Sequence, residues 1–132
     1  SRVEGHGEPV LKNIRSVFSN STTHKLVEHD WMPHSEFLSL IDTMDMGMQV
    51  SFTESFNIIA ADFVTRGKPI VVSSEVSWAA KKFFANPTDS TSILKIMTRA
   101  EVLGGLGVSL NQYLLEDFSS NSAERWIDTL TY

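Results

Sequence analysis

The apolar positions of this chain change period as one reads along it. Leu11, Ile14, Val17 and Phe18 recur at helical spacing behind Pro9, a residue favoured in a helix's first turn, so a helix is expected over about 9–18. Residues 19–23 are all Ser, Asn or Thr and read as a turn. Lys25-Leu-Val-Glu-His29 is then a short strand candidate. Phe37, Leu38, Leu40, Ile41 and Met44 form one face of a helix expected over about 34–44, with Gly47 beyond it as a C-terminal cap. The pattern next gives a strand at 48–52, a helix at about 55–65 closed by Gly67 and Pro69, and a strand at 69–73.

Ile70-Val-Val72 has no polar alternation, which suits a strand buried on both faces. Residues 79–84 read equally as helix or strand and end at Asn86-Pro87. Asp89-Ser90 caps a helix to about 103, the glycines of 104–107 break it, and further helices are expected at about 106–118 and 123–130. Short strands alternating with helices imply an α/β fold with a mainly parallel, Rossmann-like sheet flanked by helices, in a single domain spanning 1–132.

Composition narrows the classes. At 42% hydrophobic residues the chain has a core to bury. The net charge of −5, with no basic cluster beyond Lys81-Lys82, argues against a nucleic-acid backbone as partner. No stretch reads as a transmembrane helix, and Ser1-Arg-Val-Glu-Gly5 lacks the pattern of a secretion signal. There is no cysteine, hence no disulfide and no Cys-ligated metal. The expectation is a cytoplasmic chain, with peripheral membrane association left open. His24, His29, Asp30 and His34 fit no helical ligand spacing and are interrupted by Pro33, so no metal site is expected. Nor is any cofactor.

Chemistry concentrates at 54–72. Glu54 stands where a strand ends and a helix begins, the place where α/β sheets hold ligands and where helix N–H groups point outward. A second acid, Asp62, follows on that helix. Read from the residues alone, Glu54 either caps the helix or binds a ligand, and Asp62 is either solvated or a ligand contact.

The order Glu54-Ser-Phe-Asn-Ile58, an acid at 62, then Gly67-x-Pro69-x-Val71-Val72 resembles the donor-sugar motif of retaining glycosyltransferases built from two Rossmann-like domains, the GT-B fold. Asn57 stands where that pattern has Gly, and Asp62 where it has Glu. The resemblance extends more weakly over roughly 25–118. It implies that Glu54 is the catalytic acid contacting the donor sugar. Ser55, Phe56, Asn57 and Ile58 would offer backbone N–H groups to the diphosphate, and Asp62 would reach the ribose. The side chains of Phe56 and Ile58 are expected only to pack in the core. Asn tolerates the left-handed backbone better than most residues, though its side chain would crowd the phosphates. Glu75 and Trp78, after the next strand, would border the same cleft.

By the same resemblance this is the C-terminal, donor-binding domain truncated at its N-terminus. An N-terminal acceptor-binding domain and the two central strands of the sheet would be missing. The partner implied is a nucleoside diphosphate sugar, bound weakly if at all by the isolated chain, which would be inactive. The remaining strands would be 25–29, 48–52, 69–73 and 82–85. The first would either pair directly with the second or be covered in a homodimer. Two other readings stay open: a noncatalytic α/β binding module, and an unrelated α/β oligomerisation or regulatory module.

Overall fold

A computed structural model describes residues 8–52 and 56–131, with residues 126 and 131 described by their backbone alone. The backbone divides into two units, Ser1–His34 and Ser35–Tyr132. In the first, α1 (Glu8–Ser19) buries no residue, and Val17 is 71% exposed. Arg15 on α1 holds Glu28 with a two-point contact, Nε to Oε2 at 3.0 Å and Nη2 to Oε1 at 2.9 Å. The strand expected at 25–29 does not form; residues 24–33 carry no regular secondary structure. Of residues 25–29 only Leu26 and Val27 are apolar, and Val27 is left exposed, so there is little burial to offset ordering the backbone.

In the second unit, α2 (His34–Asp42) buries Ile41 and packs Phe37 and Leu38 against the core. It ends two residues earlier than expected. Gly47 is no cap: it opens β1 (Gly47–Gln49), where an added Cβ would lie 2.5 Å from the Phe63 ring. The glycine is there because an aromatic ring rests on the strand. β1 pairs in parallel with β2 (Ile70–Val72), Met48 opposite Val71, and on its far side Val72 makes a single parallel bridge to Phe84. The order along the sheet is β1, β2, Phe84. The fold is α/β, though the regular sheet among the described residues has two strands.

α3 (Ile58–Thr65) makes the crossover between them. It stops by a Schellman motif: Gly67, at φ 75°, donates its N–H to Val64 O at 3.0 Å, and Lys68 donates to Phe63 O at 2.9 Å. Arg66, just past the helix, holds Asp42 with two hydrogen bonds, and Lys68 Nζ donates to the Asp42 carbonyl at 3.1 Å. β2 is covered on both faces, as its unbroken apolar run implies. Ile70 and Val72 join Ile41, Phe63 and Val64 of α2 and α3, while Val71 joins Phe83, Ile96 and Ala100. Burying each such side chain stabilises by roughly 1.5–3 kcal/mol.

After a 3-10 turn at Lys81–Phe83, α4 runs from Ser90 to Thr131, capped by Asp89 Oδ1 accepting the Thr91 N–H at 2.9 Å. The expected break is a bend at Gly104, φ 47° and ψ −125°. Beyond it the helix is continuous, where two separate helices were expected. Gly107 lets it lie against Phe83, whose Cζ would be 2.6 Å from an added Cβ. One turn on, Asn111 is buried, and its Oδ1 accepts the Ala80 N–H at 3.0 Å. Gln112 Nε2 donates to Val64 O at 3.1 Å. Asn111 thereby satisfies a buried N–H, and Gln112 gives the Val64 carbonyl a second donor beside the Gly67 N–H.

Candidate functional site

The candidate site is the connection from β1 to α3. Glu54 and Ser55 lie outside the described residues, and the helix expected from 55 starts later, since Phe56 and Asn57 are not helical. What is described begins at Phe56, and α3 begins at Ile58.

Asn57 is the N-cap of α3 and is described as buried. Its backbone is left-handed, φ 58° and ψ 85°, alone among the described non-glycine residues in having a positive φ. Few side chains accept that conformation at low cost, and Asn is one of them. Its Oδ1 accepts the Ala60 N–H at 2.8 Å, and its carbonyl accepts the Ala61 N–H at 3.2 Å. The side chain is therefore folded back into the helix cap. A helix start leaves its first N–H groups without intrahelical acceptors. Those of Ile58 and Ile59 have no acceptor among the described residues, and the helix dipole adds partial positive charge there.

Phe56 is fixed from two sides. Its ring stacks on Phe118 at 5.7 Å between centroids and meets Trp78 at 6.2 Å. Its carbonyl accepts the Trp78 indole N–H at 2.6 Å. Phe56 thus packs as expected. Ile58 does not: it is 66% exposed, because the Asn57 turn aims the first helical residue away from the core. Trp78, the expected cleft border, packs beside Phe56. It is buried, and its N–H is committed to the loop that precedes α3. Glu75 is exposed in a tight turn closed by the Val76 N–H to Ser73 O at 3.1 Å.

Asp62 lies half-buried on α3, one turn past Ile58. The structure therefore brings Phe56, Asn57, Ile58 and Trp78 together around one helix start, with Asp62 a turn along and Glu75 on the loop after β2. Sequence reading passed over Ser73, Phe118 and Asn111. Ser73 follows β2, is 1% exposed, and its hydroxyl has no partner among the described residues. A Ser ending an apolar strand gave a weak signal. Asn111 carried a better one, since it lies four residues after Gly107 on the helix face that the glycine presses to the core.

Two acids outside the site have displaced titrations. The Arg66 guanidinium hydrogen-bonded to Asp42 holds that carboxyl below its ordinary value, and Arg15 does the same to Glu28. Among the described residues no three His, Asp or Glu side chains gather as a metal site, and no helix is long and apolar enough to cross a membrane. No family model, curated protein or solved structure matches the chain.

Proposed function

We propose that this chain is the donor-binding part of a retaining glycosyltransferase of GT-B architecture, and that the start of α3 receives the diphosphate of a nucleoside diphosphate sugar. The observation that carries the reading is the left-handed backbone of Asn57. The motif that the sequence resembles has Gly at this position, and a positive φ is the physical reason a Gly would be kept there. The N–H groups of Ile58 and Ile59 and the helix dipole offer the anion its contacts. The order β1, β2, Phe84 is also that of one half of a doubly wound, Rossmann-like sheet.

In this reading Glu54 hydrogen-bonds donor-sugar hydroxyls, Asp62 reaches the ribose, and the helix start stabilises the charge that develops on the departing diphosphate. Asp62 is one methylene shorter than the Glu of the motif, so either the helix sits closer to the ribose or a water completes the contact. The acceptor is bound by a domain outside this chain.

One observation favours a second reading, a noncatalytic α/β binding module. Asn57 Oδ1 occupies the Ala60 N–H, a donor that a glycine in its place would leave to the ligand. Titration calorimetry with UDP- and GDP-sugars separates the two. The transferase reading expects weak binding that Glu54→Ala abolishes. Binding that is indifferent to Glu54→Ala contradicts it.

A further inference from the structure

Behind Phe56 lies a cavity of about 250 Å3, between the loop after β2 and the second half of α4. Ligand pockets commonly run from about 300 to 1,000 Å3, so this one has room for a single ring and not for a nucleotide. Its inner wall is apolar, made by Trp78, Leu114 and Phe118. The Trp78 N–H is already engaged by the Phe56 carbonyl, so the indole offers the cavity no donor.

The mouth is polar and electrically balanced. Asp117, Asn121 and Arg125 follow one another a turn apart along α4. Asn121 Nδ2 donates to Asp117 Oδ2 at 3.2 Å, which leaves Asp117 Oδ1 and the Asn121 carbonyl as acceptors and the Arg125 guanidinium as donor. An anion meets repulsion from Asp117 beside attraction from Arg125, and a cation the reverse, so the mouth selects for neither charge. A neutral molecule with an apolar face and a hydroxylated edge meets a counterpart on both sides.

We propose that this pocket binds one uncharged sugar ring, at a site separate from the start of α3. The C–H face of the ring lies against the aromatic wall, whose π faces carry partial negative charge. Its hydroxyls, each both donor and acceptor, take the Asp117, Asn121 and Arg125 positions. The inference does not rest on the transferase reading. Trp78 and Phe118 also hold Phe56, the residue before the α3 cap.

The test uses the full chain labelled with 15N, its indole resonances assigned through the backbone, and the methyl glycosides of glucose, galactose, mannose and N-acetylglucosamine as probes. At least one should shift the Trp78 indole resonance saturably, with a Kd of about 1 mM. Asp117→Ala and Asn121→Ala, at exposed helical positions, should keep the spectrum dispersed and weaken that binding at least tenfold, about 1.4 kcal/mol. The proposal fails if none of the four probes produces a saturable shift. It fails equally if both substitutions leave the affinity unchanged, or if acetate or methylammonium moves the same resonance as strongly as the best sugar.

Discussion

Replacing Asn57 by Ala and by Gly separates the two jobs of this residue. Ala removes the side-chain oxygen that accepts the Ala60 N–H and must still adopt φ 58°. Loss of an N-cap costs about 1 kcal/mol, and holding a residue with a Cβ in the left-handed region costs roughly 1–2 kcal/mol more. Asn57→Ala should therefore destabilise by about 2–3 kcal/mol. Gly loses the same hydrogen bond but needs no strain relief, and as an N-cap it is only a few tenths worse than Asn. Adding the greater freedom of the unfolded chain, Asn57→Gly should cost under about 1 kcal/mol. In urea, with a slope of roughly 2 kcal/mol/M, the Ala midpoint falls by about 1–1.5 M and the Gly midpoint by less than about 0.5 M. The same Gly variant frees the Ala60 N–H, so under the transferase reading it should bind a nucleoside diphosphate at least about threefold more tightly. Equal destabilisation by Ala and Gly, or an Ala cost below about 1 kcal/mol, would refute the role given to the left-handed cap.

Asn111→Ala should cost about 3 kcal/mol in urea unfolding, since it strands the buried Ala80 N–H and leaves a void, whereas Gln112→Ala should cost about 1. A smaller loss at 111 than at 112 would be inconsistent with the α4 anchoring described above. The Asp42–Arg66 contact predicts a pH dependence of definite sign: the Asp42 carboxyl titrates below its ordinary 3.8 in the folded chain, so its contribution is complete above that value and is lost as pH falls through the depressed one. The urea midpoints of the wild type and Asp42→Asn should differ at pH 7 and converge on acidification, and a gap that widens as pH drops would reverse the assignment.

Much of the framework was readable from the chain because local rules and tertiary packing agree there. The Gly67 stop, the two-sided burial of Ile70-Val-Val72, the Asp89 cap and the bend among the glycines of 104–107 each follow from a residue whose chemistry admits one structural role. Failures fall where a distant partner decides. Gly47 looked like a helix cap, but the Phe63 ring from another element is what demands it. The 25–29 segment had strand-forming residues yet forms no strand, and its Glu28 is drawn into an ion pair with α1. α4 runs through 119–122 because polar residues on an exposed helix need no break. At the site, sequence logic foresaw the helix after β1, with its start three residues too early, and the tolerance of Asn57 for its backbone. It misplaced Ile58, since the direction of a left-handed turn is not written in local spacing, nor is the hydrogen bond from residue 78 to residue 56.

The account turns on whether the start of α3 is an anion-binding end. The direct measurement is a 15N–1H titration of the full chain with UDP and with GDP, following the backbone amides of Ile58 and Ile59. If the diphosphate seats there, these two amides move most, they move downfield as donors do, and Asn57→Gly adds Ala60 to the set. If the amides of Ile58 and Ile59 stay still while others respond, or if none responds to either nucleotide, the site lies elsewhere and the donor-binding reading is wrong.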